Sequence, residues 1–252
     1  EEIALTQLGD LLEKKHIEGM SEESPIIILP ALNTKTRNKN LIFLKGNIKV
    51  QSSLTSNVVF DKDSMELLIT FTQPDDWALL YESDLSNIKV KMSSVIDKNE
   101  IKNKKTSSRI DKNGFTGCLS IFDSKFRSTK LEVKSLASSC EDSINIVKST
   151  GNLSEIVIHD AESDALDVDF SELTIESLHV KNAGNDCADF SSGKYKLNKL
   201  YLSGCNDKAI SIGENSQMSL QNAIIDGANI GISSKDSSIT LIDNVSINNT
   251  NI

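Results

Sequence analysis

The sequence predicts an all-β fold: a right-handed parallel β-helix, a solenoid of coils about 22 residues long, preceded by a short capping helix. The main observation is a residue pattern that recurs at this fixed period between Asp142 and Ser234, after one longer first step from Cys118 to Ser143. Self-similarity at a fixed period of this size is typical of repeat architectures. Three adjacent columns carry the pattern: Cys118, Ser143, Ala165, Cys187, Ala209 and Gly231; Leu119, Ile144, Leu166, Ala188, Ile210 and Ile232; and Ser120, Asn145, Asp167, Asp189, Ser211 and Ser233.

A second run of alternating residues follows the first in every coil and is the second observation. Neither run is long enough for a helix, and period-two alternation is typical of half-buried strands. The apolar columns should therefore stack inside the solenoid about 4.8 Å apart, with the hand that parallel crossovers usually have. Asn or Gly closes the second run, where left-handed backbone allows a corner at little steric cost. These columns are Leu153, Ile175, Leu197, Leu220 and Ile242; Ile156, Leu178, Leu200, Ala223 and Val245; Ile158, Val180, Leu202, Ile225 and Ile247; and, at the corner, Asn182, Gly204, Gly227 and Asn249.

Residues 1–24 are predicted to form the N-terminal capping helix. A helix lying across the first coil would cover its exposed apolar end, as terminal units of repeat proteins require. Packing against the side of the coils is the alternative. The apolar residues at mostly helical spacing are Leu5, Leu8, Leu11, Leu12 and Ile17.

Residues 25–252 are predicted to form the β-helix. Before Met92 the strand-like runs are irregularly spaced, so atypical first coils are expected there, with a turn at Pro74-Asp75-Asp76. Residues 94–113 are highly charged and poor in apolar side chains, which predicts a projecting loop that either flanks a binding groove or is simply solvated. The last residues stop where another strand is due, so further C-terminal coils or a fused domain are expected.

Charge and hydropathy exclude several classes of partner. A net charge of −9 argues against nucleic acid or an anionic membrane as the main partner. No apolar run approaches the ~18 residues of a membrane span. The N-terminal Glu1-Glu2-Ile3 is unlike a signal peptide, so either an intracellular protein or a mature, trimmed chain is expected.

Four cysteines fall in the repeat register. Cys187 begins a strand and Cys205 ends the same coil, whereas Cys118 and Cys140 are about one coil apart. Two disulfides, Cys187 with Cys205 and Cys118 with Cys140, are one interpretation and indicate an oxidising compartment. Four small buried thiols, at positions that other coils fill with Ala or Ser, are the other.

A line of ionisable residues is predicted on one face of the stacked strands: Asp142, Asp164, Asp186 and Lys208. Two carboxylates about 5 Å apart repel by roughly 3 kcal/mol at an effective dielectric of 20, which would raise one apparent pKa by about two units. Two neighbouring carboxyl groups whose pKa values differ in this way suit general acid/base hydrolysis of a glycosidic bond. The alternative is a structural ladder, in which the aspartates accept hydrogen bonds from turn backbone.

Four segments along this line read Ser163-Asp164-Ala165, Asn185-Asp186-Cys187, Asp207-Lys208-Ala209 and Ser233-Ser234-Lys235. They resemble the consecutive N-T-D, D-D-C, G-H-G and R-I-K motifs of the polygalacturonase-like (pectin lyase-like) glycoside hydrolases, which are right-handed parallel β-helices. The resemblance, which covers residues 163–235, implies that Asp164 and Asp186 are the catalytic aspartates, that Cys187 and Cys205 form a family disulfide, and that Lys235 is the lysine of the last motif. Asn185, Lys208 and Ser233 depart from the family's aspartate, histidine and arginine.

A second resemblance accounts for two of these positions differently. Residues 207–214 and 231–238 are similar to β-helix modules attached to spore-coat-type kinase domains. In that case Lys208 and Lys235 belong to the pattern of the coils and do not replace catalytic groups.

The sequence thus predicts a carbohydrate-active extracellular protein, secreted, periplasmic or on the cell surface, that binds an acidic polysaccharide and, in the stronger hypothesis, cleaves it as a hydrolase or lyase. The alternative is a non-catalytic surface or scaffold module with a structural Asp ladder. No metal site or cofactor is expected from the scattered His16, His159 and His179, although the carboxylates suit Ca²⁺ held together with a uronate. The candidate catalytic residues are Asp164, Asp186 and Lys208, and the candidate substrate-binding residues are Asp142, Asn185, Asp207 and Lys235.

Overall fold

The computed structural model describes residues 27–30, 40–44, 48–96, 114–134 and 140–252. The described chain is all-β and forms a β-solenoid of about seven turns, with coils about 22 residues apart. The predicted parallel β-helix is therefore confirmed. The predicted capping helix, residues 1–24, and most of the predicted charged loop, residues 97–113, lie outside the described residues.

The strands are numbered in chain order. They are β1 Ile27–Pro30, β2 Asn40–Leu44, β3 Ile48–Ser52, β4 Asn57–Asp61, β5 Glu66–Phe71, β6 Ala78–Tyr81, β7 Lys89–Ser94, β8 Gly117–Phe122, β9 Lys125–Lys134, β10 Asp142–Val147, β11 Thr150–Ala161, β12 Asp164–Asp169, β13 Glu172–Ile175, β14 Leu178–Ala183, β15 Ala188–Ser191, β16 Lys194–Gly213, β17 Gln217–Ser234, β18 Ile239–Ile242 and β19 Val245–Thr250.

Two stacks of parallel strands position the residues discussed below. The first stack is formed by β6, β8, β10, β12, β15 and the C-terminal parts of β16 and β17. The second is formed by β5, β7, β9, the C-terminal part of β11, β14, β19 and the middle of β16 and β17. A third, shorter stack lies between them and includes β13 and β18. Each regular coil passes through all three, so every stack exposes one outward face.

The register of the first stack reproduces the predicted period. Asp142 is paired with Asp164, one regular period later, whereas Ile144 is paired with Leu119 across the longer first step. Leu119, Ile144 and Leu166 are at most 1% exposed, as expected for a column inside the solenoid. In the last coil Ile242 and Ile247, which end the predicted columns of Leu153 and Ile158, are exposed, so the apolar stacking of those two columns ends one coil earlier.

Corner residues close the coils as the sequence predicts. Asn182, Gly204, Gly227 and Asn249 all have positive φ, between 51° and 78°. A second corner holds buried serines that the sequence analysis did not single out. The backbone N–H of Ser124 donates to Oγ of Ser149, and the N–H of Ser149 donates to Oγ of Ser171, so one hydroxyl per coil satisfies the backbone of the coil before it.

Atypical first coils were predicted for the N-terminal strands, and these strands depart from regular coils even further than that. Four strand pairs are antiparallel: β1 with β2, β2 with β3, β3 with β6, and β4 with β5. A parallel coil leaves its edge with unpaired N–H and C=O groups, and antiparallel neighbours satisfy them. Strands therefore close this end of the solenoid within the described residues.

Both disulfides of the first interpretation of the cysteines are present. Cys118 is bonded to Cys140 and Cys187 to Cys205, with Cα–Cα distances of 5.3 and 5.4 Å. The alternative of four free buried thiols is therefore wrong. Disulfides persist in oxidising compartments, which fits a secreted or extracellular protein.

Candidate functional site

The predicted line of ionisable residues lies at the start of the strands of the first stack. Asp142 is the register partner of Asp164, and Leu166 is the partner of Ala188, which sets Asp164 level with Asp186. Lys208 follows one coil later, where its Nζ lies 3.3 Å from Oδ2 of Asp186. The predicted order Asp142, Asp164, Asp186, Lys208 is therefore found in space.

Asp164 is occupied by hydrogen bonds within the solenoid. Its Oδ1 accepts the backbone N–H of Asp186 at 2.7 Å and the side-chain amide of Asn185, also at 2.7 Å. Burial raises the pKa of Asp164, while these two hydrogen bonds oppose the shift. Asn185, a candidate substrate-binding residue, thus donates its amide hydrogen bond to Asp164, a candidate catalytic residue.

Asp186 repeats this arrangement one coil later. Its Oδ1 accepts the backbone N–H of Lys208 at 2.8 Å, and Nζ of Lys208 forms an ion pair with the carboxylate. The side chain of Asp186 is only 4% exposed. Burial raises the pKa of Asp186, and Lys208 counteracts it. A carboxylate so enclosed and so fully bonded is suited to holding two coils together.

The remaining predicted residues surround Lys208. Nζ of Lys208 also lies 2.5 Å from Oδ2 of Asp207, and this hydrogen bond lowers the pKa of Asp207. Lys235 is exposed, and its charge also lowers the pKa of Asp207, although less strongly. The structure thus brings Asp164, Asn185, Asp186, Asp207 and Lys208 together in a bonded chain, with Lys235 at its edge.

A second acidic group lies on the same stack, and of its members only Asp142 was predicted as a site residue. The carboxyl cluster, as we call it, consists of Asp167, three of the aspartates whose charges raise its pKa, namely Asp142, Asp169 and Asp189, and Asn145. Asn145 pairs with Asp167 in register, and Asp167 pairs with Asp189. The side-chain amide of Asn145 donates to Oδ2 of Asp167 at 2.9 Å and to Oδ2 of Asp169 at 3.4 Å.

Burial dominates the electrostatics of the carboxyl cluster. It raises the pKa of Asp142 to about 7 and that of Asp167 to about 9, and the neighbouring aspartates raise both further. The pKa of Asp169 is also raised by burial, against a hydrogen bond from Asn145. Desolvation penalises the charged form of a carboxyl group, and like charges add to that penalty. At neutral pH this cluster therefore holds at least one proton.

Several polar atoms of this region are buried without a hydrogen-bond partner in the described structure. They are Oδ2 of Asp142, Oδ1 of Asn145, Oδ1 of Asp189 and Oγ of Ser211. Ser211 is the register partner of Asp189, so these atoms lie on three coils of the first stack, with the coil of Asp167 between the first two. Within the described residues, no group of three or more His, Cys, Asp or Glu side chains is arranged to hold a metal ion.

A third feature, on the outward face of the second stack, contains two stacked aromatic rings, one partly exposed and one exposed. His179, Tyr201 and Ile224 are register partners on three consecutive coils, and we call them the platform. The rings of His179 and Tyr201 are stacked, with centroids 4.7 Å apart and planes inclined by 21°. Tyr201 is 45% and Ile224 48% exposed, and both line a shallow depression of about 290 Å³.

Lysines flank the platform. Lys181 lies two residues after His179 and Lys199 two residues before Tyr201 on their own strands, so they point to the same side of the sheet. Both are exposed, and neither forms an ion pair with a described carboxylate. Asp226, level with Ser203 in the next coil, accepts a hydrogen bond from Asn249 at 2.6 Å. Two lysines and one aspartate therefore lie beside the platform, on a chain of net charge −9.

Comparison with protein-family models, curated proteins and solved structures finds no match to this chain. The polygalacturonase-like resemblance of the motifs therefore stays a prediction, and the function is argued from the geometry.

Apart from Asp142, sequence reasoning missed the carboxyl cluster, and it missed the whole of the platform, although signals for each were present. The repeat columns contained Asn145, Asp167 and Asp189 one coil apart, but spacing alone does not reveal burial. His179 and Tyr201 are also one period apart, and each lies between two inward-facing residues of its strand. Reading the outward positions of each strand as columns would have placed the two rings side by side.

Proposed function

We propose that this chain is an extracellular β-helix protein that binds an acidic polysaccharide on the platform. The observation that carries the proposal is the stacked pair of His179, which is partly exposed, and Tyr201, which is 45% exposed. Beside them lie Lys181 and Lys199, which form no ion pair with a described carboxylate. A pyranose ring presents an apolar C–H face that packs on an aromatic ring, and Tyr combines such a face with a polar tip. The lysine ammonium groups supply charge for uronate carboxylates.

The shape of the surface supports an extended ligand. The platform runs along the solenoid, with one side chain per coil, so successive sugar units meet equivalent positions about 4.8 Å apart. Asn222 and Asn244, which line the same depression, add amide donors and acceptors at its rim. Extended repeat surfaces of this kind suit polymers better than compact ligands.

Cleavage of the polysaccharide is a more specific hypothesis than binding, and it depends on Asp164, Asp186 and Lys208. The hydrogen bonds made by Asp164 and the 4% exposure of the Asp186 side chain favour binding without cleavage. A general acid or base must come within hydrogen-bond reach of the proton that it transfers. Of the candidate substrate-binding residues, Asp142 is buried and Asn185 is bonded to Asp164, whereas Lys235 is exposed.

A second candidate function, a non-catalytic scaffold module, is favoured by one specific observation. The aspartates of consecutive coils each accept the backbone N–H of the coil that follows, as a structural ladder would. This function and polysaccharide binding at the platform are compatible, because they use different stacks. Within the described residues no helix is long and apolar enough to cross a membrane.

Binding to defined polymers tests the proposal. Affinity electrophoresis or calorimetry with polygalacturonate and alginate, against dextran as a neutral polymer, should show binding of the anionic polymers. Tyr201→Ala should weaken it at least tenfold, whereas Phe170→Ala, which removes a 58% exposed aromatic away from the platform, should not. Equal affinity of both variants, or no binding of either polyuronate, would overturn the proposal. Assaying the same mixtures for new reducing ends or unsaturated products tests cleavage.

A further inference from the structure

The outward face of the third stack forms a depression of about 450 Å³, larger than the one beside the platform. We call it the third-stack depression. The floor residues Leu173, Tyr195 and Met218 are buried, so the residues on either side of each point outward. Two columns of these outward residues follow the register over three consecutive coils and line the depression together: Lys194, Gln217 and Ile239, and Lys196, Ser219 and Leu241.

Lys194 and Lys196 bring positive charge to one coil of the depression. Both are exposed, and they lie two residues apart on β16, so they point to the same side about 7 Å apart. Neither forms an ion pair with a described carboxylate. Glu172 is the acidic residue among the described residues that line the depression, and it lies one coil before Lys194. An anionic ligand therefore meets more positive than negative charge here.

Ile239 and Leu241 make the other end of the depression apolar. They are 61% and 68% exposed, and they point outward because Thr240, between them, is the register partner of the buried Met218. Scattered exposed aliphatic residues are ordinary, whereas adjacent ones that line one concave surface are typical of a binding site. The uncharged coil of Gln217 lies between them and the lysines. Along the solenoid the depression thus changes from cationic to neutral polar to aliphatic.

We propose that the third-stack depression binds a free single-chain anionic amphiphile, of the chemical class of the fatty acids. Its carboxylate contacts Lys194 and Lys196, and its alkyl chain lies along the solenoid as far as Ile239 and Leu241, two strand spacings or about 10 Å away. Charge-assisted hydrogen bonds hold the head group, and burial of aliphatic surface holds the chain. This site is independent of the platform, because it lies on another stack and selects for an alkyl chain.

The two ends of the depression distinguish this ligand from other anions. A polyuronate would pair with the lysines, but it has no alkyl chain to cover Ile239 and Leu241. An anionic bilayer is disfavoured, since a chain of net charge −9 is repelled by it. A volume of about 450 Å³ also lies in the range of small-molecule sites.

Calorimetric titration of the intact, oxidised protein at pH 7 tests this inference. The probes are butyrate, hexanoate, octanoate and decanoate, all kept monomeric. Affinity should rise by up to about fourfold with each added CH₂, the factor that corresponds to about 0.8 kcal/mol. Decyltrimethylammonium reverses the charge and should bind at least tenfold more weakly than decanoate. Sedimentation with phosphatidylglycerol vesicles tests a bilayer as the source of the amphiphile, and we expect the protein to stay in solution.

Variants at the two ends locate the site. Lys194→Gln/Lys196→Gln should weaken decanoate binding at least tenfold, and Ile239→Thr/Leu241→Thr should weaken it and flatten the dependence on chain length. The matched controls Lys62→Gln and Val59→Thr, at exposed positions of the N-terminal region, should change neither. Melting curves show whether each variant is folded.

Four outcomes would overturn the proposal. They are no binding of decanoate, equal affinity for butyrate and decanoate, equal affinity for decanoate and decyltrimethylammonium, and sedimentation with vesicles by a protein that leaves monomeric decanoate unbound. Full decanoate affinity in both folded double variants would also overturn it, because the ligand would then lie elsewhere on the solenoid.

Discussion

The backbone N–H of Asp186 donates a 2.7 Å hydrogen bond to Oδ1 of Asp164, its counterpart one coil earlier. Lys208 and Asp186 repeat the same contact at 2.8 Å. The residues that a catalytic interpretation would choose first are thus also the residues that join consecutive coils. The two roles make opposite demands, because a proton-transferring group must be free to exchange its partners.

Substitution of Asp164 separates these roles. Asp164→Asn keeps an Oδ1 acceptor, so folding stability should be unchanged or slightly higher once one charge leaves a crowded acidic region. Asp164→Ala leaves the N–H of Asp186 and the amide of Asn185 without this acceptor, and should lower the free energy of unfolding by about 1–3 kcal/mol. Urea denaturation measures both. Equal stability of Asp164→Ala and the wild type would contradict the structural role, and loss of turnover in a folded Asp164→Asn or Asp186→Asn would restore the catalytic one.

The lysines beside the platform should control the salt dependence of polysaccharide binding. Lys181→Gln and Lys199→Gln each remove one exposed charge, so polygalacturonate affinity should fall and its decline with added NaCl should become shallower. Lys62→Gln removes an exposed lysine of the N-terminal region and should change neither. Titrations at low and at physiological salt give both quantities. Identical salt slopes for all three variants would exclude a direct ionic contribution of the platform lysines.

The coils could be predicted because two independent periods agree. Alternation of apolar residues marks the inward side of each strand, and the fixed period of the repeat places equivalent residues on neighbouring strands. Once Leu166 lies above Ile144, the positions of Asp142, Asp164 and Asp186 follow. The antiparallel pairing of β3 with β6 could not be found this way, because the N-terminal runs do not repeat.

The chemical character of the site was harder to predict than its register. The pKa of Asp167 depends on how completely its surroundings exclude water, and sequence spacing carries no information on that. The stacking of His179 on Tyr201 depends on side-chain rotamers as well as on register. Cys187 and Cys205, by contrast, could be paired in advance as one of two interpretations, since the length of one coil limits which cysteines meet.

Each disulfide should contribute measurably to stability. The bridges close segments with sequence separations of 22 and 18 residues, and cross-links of about that length stabilise by about 3 kcal/mol, mainly by restricting the unfolded chain. The double substitution Cys187→Ala/Cys205→Ala should lower the free energy of unfolding by that amount, and reduction of the remaining bridge should lower it again. A loss below about 0.5 kcal/mol would show that coil stacking alone sets the stability of this region.

The carboxyl cluster should make the protein less stable as the pH rises, which is the reverse of the usual effect of paired carboxylates. The pKa values of Asp142 and Asp167 are raised to about 7 and about 9, far above those of an unfolded chain, so the folded state binds more protons than the unfolded state. Their contribution is fully present below about pH 4 and is lost as the pH passes through 7 and then 9, by at most about 1.4 kcal/mol per pH unit for each group. Melting temperatures measured from pH 5 to pH 9.5 should therefore fall, and Asp167→Asn should flatten the upper part of the curve, because the amide stays neutral throughout. Asp243→Asn should retain the full slope. A wild-type melting temperature that is constant or rises over this range would show that the carboxyl groups of the cluster are charged, and solvated, in the folded protein.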